Sequence, residues 1–480
     1  MLFNSFEYAI FLIIIFMIYW LSPKKFRCTV LMVSSFVFYG FWSIKYFLLF
    51  FSEIFTTYLI GVILSSRKIK QKKFRQQIFL FLGIGISVSV LILFKYYDFL
   101  VSILNSILQS YKNAKTFGLL NLILPVGISF YTFQCIGYMV DVYRGKVKVE
   151  KNFIQYAAFI SFFPQLVAGP IERAEYLLPQ IKTRHIFSYS QAVYGLKLMA
   201  WGYFKKIIIA DTLAITVDKM WADMRSFAGL PLIIGAFFFS IQIYCDFSGY
   251  SDIARGSAKL LGIELSENFK SPYLSQSVKE FWGRWHISLS SWLRDYVYIP
   301  LGGNRKGDIR YIRNIMVTFF ISGLWHGADW TFLAWGGVFG SIIVIEKYTK
   351  SFSVIQKTDH KENGIMKRII SILCTDMLVV LLWVVFRSQS MNEVINFYKL
   401  SLSGIHNFTA YLTKGRQYLN PMIIADIILL LFYDIYALKN DVIMKVSQCK
   451  ARWVIYICFV LWIYYQIPQI ENKAFLYFQF

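Results

Sequence analysis

The chain is 480 residues long, and 57% of its residues are hydrophobic while only 16% are charged. Soluble domains are roughly 45–50% apolar and about 25% charged, so this composition excludes a water-soluble globule, a disordered chain and a disulfide scaffold. Lysine and arginine outnumber aspartate and glutamate by 50 to 27, a formal charge of +23. On an apolar chain, such an excess is typical of positive cytoplasmic loops rather than of nucleic-acid binding.

Apolar runs that approach the length needed to cross a bilayer, about 20 residues, recur from one end of the chain to the other. In chain order they are Phe6–Leu21, Thr29–Ile44, Tyr46–Leu64, Ile78–Phe94, Leu119–Val140, Phe153–Ala168, Tyr194–Ile215, Leu230–Phe247, Ile315–Trp325, Trp330–Ile345, Ile369–Phe386, Met422–Ala437 and Trp453–Ile467. Several are short or interrupted by proline or glycine, so we predict about 10–12 transmembrane helices and no separate soluble domain. The first run lacks a basic flank and a cleavage site, which indicates a retained helix rather than a signal peptide.

Basic clusters lie in the loops between these runs. They comprise Lys24, Lys25 and Arg27; Arg67, Lys68, Lys70, Lys72, Lys73 and Arg75; Arg144, Lys146, Lys148 and Lys151; Arg305, Lys306, Arg310 and Arg313; and Lys439, Lys445, Lys450 and Arg452. Placing all of them in the cytoplasm gives a topology with both termini outside it, provided that an even number of spans lies between Lys151 and Leu301. The sequence thus predicts a multi-pass membrane protein with no nucleic-acid partner.

The cysteines lie in or beside apolar runs and show no C-x-x-C spacing. They are Cys28, Cys135, Cys245, Cys374, Cys449 and Cys458. We predict buried free thiols and no metal site.

Ionisable side chains enter the apolar sequence at Tyr244–Lys259. Asp246 lies inside it, and Asp252, Arg255 and Lys259 follow at the spacing of one helix face. A carboxylate in hydrocarbon is unfavourable unless it is paired or hydrated. Both a functional site and an Asp–Arg clamp that holds helices together would satisfy this requirement.

The stretch Val278–Leu301 is rich in both tryptophan and charge. As one continuous helix, it would carry two polar stripes, one of Glu280, Arg284, Ser288, Ser291 and Asp295 and one of His286, Ser290 and Arg294. Such a helix is too polar for lipid and suits a water-lined cavity or an interfacial position. The turn at residues 300–305 that follows contains two glycines and could approach a phosphate.

His326 lies at the edge of an apolar run between Gly323 and Gly327, whose small size would leave room for a substrate beside the ring. A histidine inside a membrane is a candidate functional residue, because its reference pKa near 6.5 lets it take up and return a proton at neutral pH. A core histidine bonded to a carbonyl is the alternative. Only five histidines exist, however, and His286 and His326 are the two in aromatic-rich, glycine-punctuated segments.

Several segments resemble the membrane-bound O-acyltransferase family, above all the bacterial branch with the membrane subunit of alginate O-acetyltransferases. They are GRWHISLSSWLRDYVYIPLGGNR, SGLWHGADWTFLAWG, YCDFSGYSDIARG, SENFKSPY, PVGISFYTFQ, FFPQLVAGPIER and the terminal FLYFQF. The resemblance implies an all-α polytopic fold in which about 10–12 transmembrane helices and further re-entrant or interfacial helices surround a central funnel. It implies a single membrane domain over residues 1–480, with N-terminal helices in 1–140, a catalytic core in 141–346 and C-terminal helices in 347–480.

The resemblance also implies roles for individual residues. The histidine of the family's GLWHG motif is the catalytic one and maps to His326, and a second catalytic position maps to His286. His326 would act as a general base or carry the acetyl group itself, while His286 would orient the thioester or the acceptor. We assign substrate or coenzyme A binding to Asp246, Arg284, Trp285, Arg294, Arg305 and Trp325, with no metal and no permanently bound cofactor.

The implied reaction moves an acetyl group from cytoplasmic acetyl-CoA across a bacterial inner membrane. It would serve O-acetylation of an alginate-like exopolysaccharide outside, through a periplasmic SGNH-type acetyltransferase or another polysaccharide-modifying partner. Peptidoglycan O-acetylation and D-alanyl transfer to teichoic acid use the same chemistry and stay open. A polysaccharide or lipid-carrier flippase is an alternative of a different class, which needs neither His326 chemistry nor acetyl-CoA.

Overall fold

The computed structural model describes residues 1, 3–109, 116–167, 169–305, 307–349, 363–416, 418–466 and 475. All regular secondary structure in these residues is helical, so the all-α prediction is confirmed. The chain forms two compact units, one of residues 1–196 and 253–266 and the other of residues 197–252 and 267–480.

The first unit is built from short and medium helices. They are α1 (Phe6–Leu21), α2 (Arg27–Gly40), α3 (Ile44–Ser65), α4 (Arg67–Lys70), α5 (Lys73–Leu91), a π-helical segment (Ile92–Tyr96), α6 (Tyr97–Leu108), α7 (Ile128–Tyr143), α8 (Phe153–Ser161), α9 (Phe163–Leu166), α10 (Ala174–Lys182) and the first part of α11 (Tyr189–Tyr203).

The second unit holds the rest of α11 and the C-terminal helices. After α11 come a π-helical segment (Phe204–Asp211), α12 (Thr212–Ala222), α13 (Leu230–Leu260, whose last residues belong to the first unit), a 3₁₀ turn (Pro272–Leu274), α14 (Val278–Arg284), α15 (Ile287–Leu293), a π-helical segment (Arg294–Tyr298), α16 (Asp308–His326), α17 (Trp330–Tyr348), α18 (Asn363–Arg387), α19 (Met391–Ser401), α20 (Phe408–Arg416), α21 (Pro421–Ala437), α22 (Val442–Gln448) and α23 (Arg452–Gln466).

Within the described residues, four helices are long and apolar enough to cross a membrane by length and composition, or up to five if one bent pair counts as a span. The four are α3, the run Lys73–Leu108, α13 and α18. Several of the other predicted runs correspond to shorter helices, such as α1 with 16 residues and α2 with 14, whereas α16 and α17 have 19 residues each. Large apolar side chains such as Leu21 and Phe432 are exposed on helix surfaces, as expected where a helix faces lipid.

Two predicted runs are not continuous helices. In the run Leu119–Val140, the helix starts only at Ile128, because Gly127 adopts a left-handed backbone with φ of 72° directly after Val126 and Pro125. The run Phe153–Ala168 is divided at Phe162, whose extended backbone separates α8 from α9. A proline lies close to each break, since Pro125 precedes the first and Pro164 follows the second.

The prediction that all six cysteines are buried is wrong. Cys135 and Cys245 are buried, but Cys374 on α18 and Cys458 on α23 are exposed, as is Cys449 before α23. Cys374 and Cys458 lie on the surfaces of apolar helices, where an exposed side chain contacts lipid, whereas Cys449 lies in the basic connection that precedes α23.

The core of the second unit is dominated by large aromatic side chains. Trp285, Trp335 and Trp383 are fully buried and come from three different parts of the chain. The indole of Trp383 lies 4.9 Å from that of Trp285 and 6.0 Å from that of Trp335, measured between ring centroids. This aromatic core surrounds the two histidines that the sequence singles out.

Candidate active site

His286 lies at a sharp break between two short helices, so the predicted continuous helix over Val278–Leu301 is wrong. α14 ends at Arg284, α15 begins at Ile287, and His286 between them has a left-handed backbone with φ of 43°. Asn268 stabilises the break, because its carbonyl oxygen accepts the Ile287 N–H at 3.0 Å and its Oδ1 accepts the Ser288 N–H at 3.2 Å. The polar stripes expected of one long helix therefore do not form.

The His286 ring is completely buried. It packs edge-on against Phe247 of α13, with 4.6 Å between ring centroids, and against Trp325 of α16, at 5.6 Å. Burial lowers the pKa of His286 from 6.5 to about 3, because the charged form would lose its hydration. The imidazole is therefore neutral at physiological pH.

His326 is the last residue of α16 and is also buried. Its ring contacts three aromatic side chains, with centroid distances of 4.8 Å to Trp325, 5.1 Å to Trp335 and 5.2 Å to Phe386. Trp325 thus touches both histidines. The structure brings His286, His326 and Trp325 together, as the sequence motifs indicate.

The glycines beside His326 serve helix packing rather than leaving room for a substrate. A Cβ on Gly327 would overlap the ring of Phe332, and one on Gly323 would overlap the Phe332 carbonyl oxygen. A Cβ on Gly336 would likewise overlap the carbonyl oxygen of Phe319. α16 and α17 therefore approach each other through their backbones, which fixes the end of α16 that carries His326.

Trp335 and Phe386 belong to the shell around His326, although the sequence reasoning did not select them. Trp335 lies on α17, shortly after the histidine motif in the sequence. Phe386 lies on α18, about 60 residues after His326, and no motif around it indicates such a role. The buried indole nitrogens of Trp335 and of its neighbour Trp282, whose ring centroid is 5.5 Å away, make no hydrogen bond to any residue that the structure describes. They are hydrogen-bond donors within the aromatic shell.

Asp246 takes part in a buried ion-pair cluster. Its carboxylate lies 2.6 Å from the Lys206 ammonium group, which also contacts Asp211 at 2.7 Å. Lys205 pairs with Asp252 at 2.6 Å, so the lysines of the π-helical segment Phe204–Asp211 meet the aspartates of α13. These contacts form a clamp between two helical segments, in which lysine takes the place of the arginine that the sequence analysis considers.

Asp252 and Lys259, which the sequence places on one helix face with Arg255, have different ion-pair partners. Asp252 is bound to Lys205, whereas Lys259, in the first unit, pairs with Glu264 at 2.6 Å. At Gly249, between Asp246 and Asp252, an added Cβ would lie 2.7 Å from the Gly202 carbonyl oxygen. The two segments of the clamp are therefore in backbone contact.

The remaining predicted binding residues occupy different surroundings. Trp285 is buried in the aromatic core, where it stacks on Phe281 at 5.4 Å, and Arg284 pairs with Glu280 at 2.6 Å. Arg294 pairs with its neighbour Asp295 and is largely exposed. Arg305 is exposed in the predicted turn, where Gly302 and Gly303 have left-handed backbones with φ of 112° and 57°.

Comparison with known proteins identifies close similarity over most of the chain. The sequence model of the membrane-bound O-acyltransferase family matches residues 36–384. A probable alginate O-acetylase of Pseudomonas putida is 39% identical over 83% of this chain and 79% of its own length. A peptidoglycan O-acetyltransferase of Helicobacter pylori is 33% identical over 78% of this chain and 74% of its own. A teichoic acid D-alanyltransferase of Streptococcus thermophilus is 29% identical over 50% of this chain and 61% of its own.

Proposed function

Because the chain belongs to the membrane-bound O-acyltransferase family, we propose that it uses cytoplasmic acetyl-CoA to acetylate hydroxyl groups of an extracytoplasmic polysaccharide. As a member of this family, the chain is a membrane-embedded O-acyltransferase. One observation supports the assignment of the site: the buried rings of His286 and His326 both contact the Trp325 indole.

His326 is the proton-transfer residue of the proposal. As the acceptor oxygen attacks the thioester carbon, His326 takes the hydroxyl proton, the C–O bond forms and the C–S bond breaks. Coenzyme A leaves as a thiolate and recovers that proton. In the alternative route the imidazole nitrogen attacks the thioester, coenzyme A leaves first, and the acetyl group passes from the ring to the acceptor.

Trp335 supplies a hydrogen bond in this proposal. Its buried indole N–H lies in the shell around His326 and has no partner among the described residues. A buried donor without a partner is unfavourable by about 1–3 kcal/mol, so such a group needs an explanation. The thioester oxygen gains negative charge during the attack, and an oriented N–H stabilises that charge.

His286 and Arg305 contribute to binding in this proposal. Neutral His286, whose ring also contacts Trp325, orients the thioester or the acceptor. The exposed Arg305, in its glycine-containing turn, suits the phosphates of coenzyme A. Lys306, the next residue of the same basic cluster, lies outside the described residues.

The names of the relatives guide the choice of acceptor. Two probable alginate O-acetylases, from Pseudomonas putida and Pseudomonas aeruginosa, align with more than four fifths of the chain, which supports an alginate-like exopolysaccharide. A periplasmic SGNH-type acetyltransferase, or another polysaccharide-modifying partner, would pass the acetyl group to it. The peptidoglycan and teichoic acid relatives keep those two acceptors as alternatives.

The test uses the detergent-purified protein and acetyl-CoA labelled in the acetyl group. We expect release of coenzyme A and transfer of label by the wild type and neither by His326→Ala. His406→Ala is the matched control, because this histidine is exposed, and it should behave as the wild type. In cells, His326→Ala should abolish polysaccharide O-acetylation while the protein still inserts into the membrane.

The outcomes separate the alternatives. Full release by His326→Ala would refute the proposal. A protein that does not react with acetyl-CoA but transfers D-alanine would be a D-alanyltransferase. A protein that cleaves no thioester would instead be consistent with a flippase. Release of one equivalent of coenzyme A before any acceptor is added would select the acetyl-carrier route.

A further inference from the structure

A groove in the second unit lies between the start of α18 and the end of α21. Its volume is about 640 Å³, within the range typical of ligand pockets. The apolar part of its lining includes Ile369 and Leu373 of α18 and Phe432 and Ile435 of α21. None of these residues belongs to the aromatic shell around His326, so the groove is separate from the candidate active site.

The groove combines an apolar wall with two cationic groups. Ile369, Leu373, Phe432 and Ile435 each expose between 46% and 68% of their surface, so the wall is open to the surroundings of the helices. Arg368 near the start of α18 and Lys439 just beyond the end of α21 also line it. Neither side chain forms an ion pair within the described part of the chain.

The positions of the two cations correspond to one membrane surface. Arg368 directly precedes the apolar run that begins at Ile369, and Lys439 lies two residues after the run that ends at Ala437. Lys439 belongs to a basic cluster that the charge distribution predicts to be cytoplasmic, and the cytoplasmic leaflet is the one that carries anionic lipids. A basic pocket between membrane helices on this side fits an anionic headgroup.

We propose that this groove binds an anionic phospholipid. The lipid phosphate lies between Arg368 and Lys439, and an acyl chain covers the apolar wall of α18 and α21. Coenzyme A also carries phosphates, but it has no long hydrocarbon chain to cover a wall of this kind. The inference goes beyond the proposed acetyl transfer and does not depend on it, because its readout is lipid binding.

The experiment measures binding of phosphatidylglycerol and phosphatidylcholine with identical acyl chains to the full-length, detergent-purified protein by native mass spectrometry. We expect the wild type to retain phosphatidylglycerol in preference to phosphatidylcholine. The double variant Arg368→Gln/Lys439→Gln should bind phosphatidylglycerol roughly ten- to thirty-fold more weakly, since each basic residue near the surface contributes about a factor of five. Ile435→Trp, which fills the wall and keeps both charges, should also weaken retention.

The control removes two charges elsewhere. Lys68 and Lys70 are exposed on α4, so Lys68→Gln/Lys70→Gln changes the net charge by the same amount and should leave binding unchanged. Equal losses in the two double variants would overturn the proposal, as would wild-type binding by Arg368→Gln/Lys439→Gln. Displacement of phosphatidylglycerol by coenzyme A would instead assign the groove to the coenzyme. Melting temperatures show that each variant is folded.

Discussion

At the scale of single residues, one side chain links the two histidines. The Trp325 indole lies against His326 on one helix and against His286 in a break between two others. Sequence motifs were sufficient to select these three residues, because each lies in a short, distinctive stretch. They were not sufficient to select Phe247 or Phe386, which reach the site from α13 and α18 only after the chain has folded.

Trp335→Phe tests the proposed hydrogen bond to the thioester oxygen. Phenylalanine keeps an aromatic ring beside His326 and removes the N–H, so we expect kcat to fall roughly 10²- to 10³-fold, as when one oxyanion donor is removed, with KM little changed. Trp383→Phe is the matched control, because the Trp383 Nε1 donates to the Tyr273 hydroxyl at 3.2 Å and that bond has a structural role. Equal kcat losses in both variants would contradict the assignment.

The buried His286 makes the free energy of unfolding depend on pH. Burial lowers its pKa to about 3, against 6.5 in the unfolded chain, so below pH 6.5 the unfolded state binds the extra proton. Folding stability is therefore lost as the pH falls from 6.5 towards 3, and His286→Asn lacks this contribution. We expect the melting temperature of the wild type to fall more steeply between pH 7 and pH 4.5 than that of the variant. Parallel curves would show that His286 is not the responsible group.

At the scale of helices, the contact between α16 and α17 determines where His326 lies. Both helices present glycine to the other's backbone, at Gly323 and Gly336. Most helix positions were close to those expected from hydropathy, because apolar periodicity dominates membrane helices. The break at His286 was missed, since it depends on a contact with the distant Asn268. The break at Phe162 lies two residues before Pro164, one of the prolines that interrupt the predicted runs.

Gly323→Ala tests that contact. The added methyl group would meet the Phe332 carbonyl oxygen, so α16 and α17 must separate, and we expect a loss of about 1–3 kcal/mol of stability together with reduced acyl transfer. Gly85→Ala on α5 provides the control, because a Cβ there meets nothing within 4 Å. Thermal unfolding in detergent measures both. An unchanged melting temperature for Gly323→Ala would show that the helices are not held by this contact.

At the scale of the whole molecule, charge predicts the orientation in the membrane. The basic loops are expected in the cytoplasm and both termini outside it. In a variant without native cysteines, Glu7→Cys should react with a membrane-impermeant maleimide in spheroplasts whose inner membrane is intact. Ser66→Cys should react only after that membrane has been permeabilised. Both positions are exposed, so access to the reagent differs only by the side of the membrane. The reverse pattern would invert the topology.

The buried ion-pair cluster has a consequence for biogenesis. The segment Phe204–Asp211 carries Lys205 and Lys206, and α13 carries Asp246 and Asp252. Either segment entering lipid alone would expose uncompensated charge, whereas the two together neutralise each other. Only α12 and a short connection separate the two segments along the chain. We therefore expect the two segments to enter the membrane together rather than one after the other.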